Sequence, residues 1–417
     1  TQGTSRCGSS YSFQGFYVVQ IVIDQYTASC ATGLGLDALN RALADRVSGL
    51  RRNDFEGCDI ASWIGRVADV EKYELPESLH HLDSRNNRLA WAGLQQDRFL
   101  ESVETMVERV GARRVGVVLG TSTSSIGQTE MAYRQLDPDG DMKPEFRQPQ
   151  VHNLHSPGIF VSRVTGVRGP SLTISTACSS SAKVFATAAR WIRAGVVDAV
   201  IAGGVDSLCL SVLYGFNSLE LVSEQPCRPF DVNRDGINIG EAAGFALLTR
   251  MDLAEEAALS LLGYGESCDA YHMSHPHPDG KGAVLAMQRA LHHAGISAAQ
   301  VDYVNLHGTA SQANDQIEAR AMAQVFDGKT LASSTKGWTG HCLGAAGIIE
   351  AIIAMESTRT GQVPGTLNCT NPDTDFEYDI LLENHRGPVD IAMTNSFGFG
   401  GNNCSLLFAG AREGGGQ

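Results

Sequence analysis

Short β-branched runs alternate with longer alanine-rich or amphipathic stretches from Val18 onward. Val115 to Leu119, Leu172 to Ser175, Ala199 to Ala202 and Phe245 to Leu248 read as buried strands. Val301 to Leu306, Leu331 to Ser333, Ile391 to Thr394 and Ser405 to Phe408 read the same way. Helices are predicted between them at Glu101 to Val110, Ser180 to Ala194, Ala283 to Ala294, Ile317 to Val325 and Leu343 to Thr360. Strands without strict polar–apolar alternation are buried on both faces, as in a sheet covered by helices on each side. The chain is therefore expected to form an α/β fold around a largely parallel sheet.

Two stretches rhyme: Gly240 to Arg250 and Gly398 to Gly410 are both glycine-rich turns that lead into an apolar strand. We read them as the ends of two related halves, 16–255 and 256–412, meeting near Asp252 to Leu262. Residues 1–15 carry no charged–apolar–cleavage pattern and are expected to be a cloning remnant or a disordered arm. The ten cysteines include no C-x-x-C pair, which argues for free thiols rather than a disulfide scaffold or zinc site. A net charge of −14 argues against nucleic acid or an anionic membrane as partner. No apolar run has the length of a spanning helix, so the expected location is the cytoplasm.

The sharpest local feature is SLTISTACSSSAKVFATAARWIRAG, a β-branched strand running through Ala177-Cys178 into a helix with Gly195 just past its end. Cys178 is placed at a strand-to-helix bend, at the positive end of a helix dipole. That setting is expected to lower the thiol pKa and suits a nucleophile. Two histidines sit beside glycine at the ends of elements, in His307-Gly308-Thr309 and in Lys336-Gly337-Trp338-Thr339-Gly340-His341. Taken alone they are as consistent with structural as with catalytic roles.

Together these motifs resemble the β-ketoacyl-acyl carrier protein synthases, condensing enzymes of the thiolase superfamily. In order they are Thr176-Ala177-Cys178-Ser179-Ser180, Arg228-Pro229-Phe230-Asp231 with Arg234-Asp235-Gly236, His307-Gly308-Thr309, Lys336 with Thr339-Gly340-His341, and Asn395-Ser396-Phe397-Gly398-Phe399-Gly400-Gly401. The resemblance covers roughly Val18 to Gly410 and implies a thiolase-like five-layer α/β/α/β/α sandwich of two similar halves. It implies a decarboxylative Claisen condensation between an acyl-enzyme thioester and malonyl-acyl carrier protein, in fatty-acid, polyene or polyketide-type elongation. Cys178 would be the acyl nucleophile, His307 and His341 the malonyl-activating pair, and Lys336 with Glu350 and Asp315 their support. Backbone N–H groups of Cys178 and Phe399 would form the oxyanion hole, with Phe399 and Gly400 in a gate. Thr309, Ser311, Thr123 and Phe397 would contact substrate. The resemblance further implies no metal or resident cofactor, phosphopantetheine arriving on the carrier protein, and a homodimer, with a heterodimer of related synthases open.

The chain departs from the family at Gly120 to Glu130, where Thr121, Ser122, Thr123, Ser124 and Ser125 replace a more aliphatic segment beside the acyl pocket. Two readings stand there, a hydrogen-bonded turn facing away from ligand and a pocket for a modified acyl chain. Ile237, Ile239 and Ala243 also depart from family usage. Arg85 and Arg88 are expected to dock an acidic carrier protein. His272, His275 and His277 fall in a loop that the family carries without metal. Two rivals remain: a pocket-shaping partner subunit, and a Cys-His acyltransferase that never decarboxylates.

Overall fold

The structure, a computed structural model, describes residues 19–254 and 259–410. The arm expected at 1–15, the boundary expected between 255 and 256, and positions 411 and 412 lie outside the described residues. Ten main strands carry the architecture: β1 Ile21–Cys30, β2 Val115–Gly120, β3 Ser171–Ile174, β4 Ala199–Asp206, β5 Ala242–Arg250, β6 Leu259–Cys268, β7 Tyr303–Asn305, β8 Leu331–Ser333, β9 Ile391–Gly398 and β10 Asn402–Ala409. Their spatial order is β8-β7-β9-β10-β6-β1-β5-β4-β2-β3.

That order is one pattern used twice. In each set of five the third strand is outermost, followed by the second, fourth, fifth and first. The second strand pairs parallel with the third and fourth, and the fifth pairs antiparallel with the fourth and first. The two sets join through Val22 opposite Ser260 and Ile23 opposite Leu259. The rhyming glycine-rich stretches lead into β5 and β10, the fifth strand of each set.

The helices include α1 Arg85–Leu94, α2 Ser180–Arg193, α3 Gln312–Val325 and α4 Ala346–Thr360. Helices α2 and α4 each contact strands of both sets. In α4 every residue from Ala346 to Ser357 is buried, including Glu350 and Glu356. A helix apolar on all sides is stable only with packing all round it. The two helices cross so closely that a Cβ added at Gly347 would lie 2.6 Å from the Ala182 nitrogen. At the same crossing Ser181 Oγ accepts the Ile348 N–H at 2.9 Å. One apolar cluster fills this central zone, around Phe185, Ile348 and Phe408. A second, around Phe99 and Phe160, and a third, around Met287 and Met322, lie under the outer helices. The central cluster reaches strands on both sides of α2 and α4, and with the two outer clusters it fills the spaces between the five layers of a thiolase-like sandwich.

Candidate active site

The strand-to-helix bend is present as expected. Strand β3 ends at Ile174, and Ala177 adopts a left-handed φ of 52°, unusual for a residue with a Cβ. Ser180 holds the bend, accepting the Thr176 N–H at 2.9 Å and donating to the Ala177 carbonyl at 2.6 Å. Cys178 emerges just before α2 with 6% exposure. The thiol shift runs opposite to expectation. Burial pushes Cys178 up to about 11, against the pull of Lys336 and of the Phe399 and Cys178 N–H groups. Loss of water around the sulfur outweighs the helix terminus.

The second set of strands delivers the histidines. His307 follows β7, and His341 follows β8 through the short turn Lys336–Thr339. The His341 Nε2 lies 3.1 Å from Cys178 Sγ, while its Nδ1 accepts the Leu343 N–H at 3.3 Å. An Nδ1 that accepts leaves the ring proton on Nε2. His307 is arranged alike: the Lys336 ammonium faces its Nδ1 at 3.4 Å and also bonds its carbonyl oxygen. Lys336 is simultaneously ion-paired to Glu350. The two rings stand 5.3 Å apart at 85°. Burial first, then Lys336, holds both imidazoles well below their ordinary pKa, with His341 adding to the effect on His307. Two neutral Nε2–H donors therefore face one thiol.

Glu318, outside every sequence motif, is a further functional residue. Its two carboxylate oxygens accept the His307 and Gly308 N–H groups at 2.8 and 2.7 Å, so the loop after β7 hangs on this buried side chain. Burial raises Glu318 to about 7, and Glu350 likewise. The available signal was Asp315 and Glu318 at i, i+3 on α3. Asp315 supports a neighbouring loop, accepting from Phe230 N at 2.8 Å and Ala310 N at 3.2 Å, and does not touch either imidazole ring.

Opposite the histidines, the loop Phe399–Gly401 follows β9. A Cβ at Gly398 would lie 2.9 Å from the Thr176 carbonyl and 3.1 Å from the Cys178 nitrogen, so only glycine lets this loop lie against the nucleophile bend. Phe399 stacks on Phe216 with centroids 5.8 Å apart. A cavity of about 290 Å³ opens above the thiol, and Thr309, Ser311, Phe397, Phe399 and Gly400 line it with the two histidines. Thr309 and Ser311 bond each other through their hydroxyls at 2.9 Å. Phe397 meets His307 edge-on at 6.1 Å.

Other expectations are corrected. Thr123 does not line this cavity: its hydroxyl and its N–H both go to Asp206, each at 3.1 Å. The polar segment forms a hydrogen-bonded turn on Asp206. Arg85 and Arg88 are each paired with carboxylates of the chain itself. Arg85 binds Glu241 through Nε at 2.9 Å and also Glu71, and Arg88 grips Asp83. Of these carboxylates Glu241 is fully buried, whereas Glu71 and Asp83 keep part of their surface in solvent. His272 and His275 lie on the loop whose Met273 carbonyl accepts the Gly400 N–H at 2.7 Å, beside the cavity mouth.

Among the described residues, the set of three metal-capable side chains is Cys178, His307 and His341, whose donor atoms fall within 4.8 Å of one another. With protons on both Nε2 atoms, a metal there would require both rings to change tautomer.

The chain matches two family descriptions, beta-ketoacyl synthase, N-terminal domain, over residues 30–254, and beta-ketoacyl synthase, C-terminal domain, over residues 259–370. It is 35% identical over 359 residues to 3-oxoacyl-[acyl-carrier-protein] synthase 2 of Vibrio cholerae, covering 82% of this chain and 86% of that one. It is 36% identical over 408 residues to the mitochondrial 3-oxoacyl-[acyl-carrier-protein] synthase of Arabidopsis thaliana, covering 90% and 86%. Among solved structures, it superposes on the ketosynthase in complex with its chain length factor from Xenorhabdus doucetiae with a TM-score of 0.83 and 35% identity, covering 96% and 100%.

Proposed function

Because the chain belongs to the β-ketoacyl synthase family and is a condensing ketosynthase of the acyltransferase type, we propose that Cys178, His307 and His341 carry out decarboxylative Claisen condensation on malonyl-acyl carrier protein. In the first half-reaction Cys178 sulfur attacks an acyl thioester. The new carbon–sulfur bond forms, the pantetheine–acyl bond breaks, and the thiol proton ends on the departing pantetheine sulfur. In the second, malonyl thioester loses carbon dioxide, and the electron pair of the broken carbon–carbon bond moves into an enolate. The Nε2–H groups of His307 and His341 stabilise that oxygen, because neutral donors in a buried site stabilise developing charge without reorganising. The enolate carbon attacks the acyl carbon, the Cys178–acyl bond breaks, and the departing sulfur takes up a proton from solvent, the one proton the condensation consumes. The Cys178 and Phe399 N–H groups would hold the tetrahedral oxyanion. Thr309 and Ser311 would hydrogen-bond the pantetheine arm, which arrives on the carrier protein, so the reaction calls for no resident cofactor.

The observation that carries this reading is the pair of neutral imidazoles beside one buried thiol. Mass spectrometry of Cys178 after addition of acyl-carrier protein, followed by malonyl-carrier protein, tests it. The expected sequence is acyl loading, release of carbon dioxide, and a 3-ketoacyl product. Loading with no release of carbon dioxide would support a plain acyltransferase instead.

A working pair of chains also fits. Strand β3 is the outer edge of its sheet, with Ser171 and Leu172 exposed. An open edge with exposed apolar side chains is a pairing surface. The Xenorhabdus doucetiae relative is in complex with its chain length factor, which supports a second subunit beside this one. Proline substitution at Leu172 is expected to yield monomers in light scattering; unchanged assembly would exclude pairing along β3.

A further inference from the structure

We propose that Asp206 is a positioning residue that keeps the proton of His341 on Nε2. The inference rests on the reading that His341 donates through that atom.

Asp206 ends strand β4, fully buried, and receives five hydrogen bonds. Its Oδ1 accepts from the Thr121 hydroxyl at 2.6 Å and from the Thr123 N–H and hydroxyl at 3.1 Å. Its Oδ2 accepts from the Ser122 N–H and the Gly344 N–H, both at 2.7 Å. All five donors are neutral, and four come from one loop. The fifth reaches across the molecule to the other half, three residues past His341.

The last bond matters for chemistry. The His341 backbone is anchored separately, its N–H on the Asn238 carbonyl at 2.7 Å and its carbonyl accepting from Gly240 at 3.0 Å. The chain then passes through Leu343, which adopts a left-handed φ of 53° despite its side chain. This sparsely populated conformation points the Leu343 N–H at His341 Nδ1, and such strain persists only where surroundings hold it. Asp206 holds the very next N–H. If Gly344 is released, Leu343 can relax, Nδ1 loses its donor, and the proton is free to move there. An Nε2 without its proton accepts hydrogen bonds and cannot stabilise an enolate oxygen. The polar run Thr121 to Ser125, which departs from the family at this place, supplies the opposing donors that keep the carboxylate in position.

The test uses full-length protein with ¹⁵N-labelled histidine, in which each ring reports its own tautomer. Parent protein is expected to carry the proton on Nε2 at both His307 and His341. In D206A, His341 should show a mixture of tautomers while His307, held by Lys336, is unchanged. Condensation turnover should fall by about 100-fold, comparable to losing one oxyanion donor. A D206A protein with an unaltered His341 tautomer would overturn the proposal even if turnover fell. Should D206A fail to fold, D206N serves: its one amide oxygen can still accept from Ser122 and Gly344, with the NH₂ turned to the threonine hydroxyls and the Thr123 N–H alone losing its acceptor. D206N should retain the Nε2 tautomer, and losing it there would also count against the proposal. If H341A condenses normally, the catalytic reading of His341 fails instead, whatever the tautomer.

Discussion

The two sets of strands deliver their ends to one place but use them differently. In the first set, the ends of the second, third and fourth strands supply Thr121 to Thr123, Cys178 and Asp206. In the second set, the same three positions supply His307, His341 and Phe399. The first set contributes one reacting atom and, through Asp206, a clamp on Gly344 beyond His341. The second contributes both imidazoles and a backbone donor. Each set also steadies the loop after its second strand with a buried carboxylate, Asp206 in one case and Glu318 in the other. Among the described residues, neither of these carboxylates is ion-paired within hydrogen-bonding distance; neutral donors satisfy them, backbone N–H groups in both cases and the Thr121 and Thr123 hydroxyls as well for Asp206. Duplication of the fold thus left the scaffold shared while the chemistry divided.

The sharpest way to break this division is to remove the single reacting atom of the first set. C178A is expected to abolish acyl loading entirely, read as loss of the acyl-protein mass. H307A or H341A should leave a loadable thiol and lower malonyl decarboxylation by about 10²–10³-fold, the cost of one oxyanion donor. Equal loss of loading and decarboxylation would remove the distinction between the sets. E318Q should reduce turnover by about 10-fold and stability by about 1–3 kcal/mol, since one loop N–H loses its acceptor; chemical denaturation with single-turnover kinetics checks both.

Stability against pH sharpens the contrast further. Glu318 and Glu350 titrate near 7 in the fold against an ordinary 4.5, so the folded state holds extra protons between those values. Their contribution is full below about 4.5 and is lost as pH rises through 7. The histidines act the other way: their folded values lie well below 6.5, so their contribution is full above 6.5 and is lost as pH falls. In E318Q the alkaline part of the denaturation profile should flatten, and the acid part should not change. The smallest expected effect on rate belongs to R85A. Breaking its pair with fully buried Glu241 should cost about 3 kcal/mol of stability, with apparent affinity for carrier protein unchanged.

What could be read from the chain was whatever lay close together along it. The nucleophile bend, the two His-Gly turns and the Phe399 loop are each local, and each sits at a strand end as read. The clamp was illegible because its members are far apart: Asp206 and Gly344 are separated by 138 positions, and Arg85 and Glu241 by 156. Arg85 therefore looked like a free surface cation. The thiol shift was misjudged for a related reason, since a helix terminus is visible in sequence and desolvation is not. The first strand of each set, β1 and β6, also escaped notice. Both are bulged against the fifth strand, between Ile23 and Gln25 and between Leu261 and Gly263, which breaks the pattern that marks a strand.

The crossing of α2 and α4 at Ala182 and Gly347 has a mechanical implication. Cys178 rides on one of these helices and His341 is tethered to the start of the other, so the 3.1 Å between sulfur and nitrogen gauges how the halves are seated. An added methyl at position 347 would act as a shim. It would separate nucleophile from donor while the outer apolar layers stayed closed, and turnover would fail well before the protein melted.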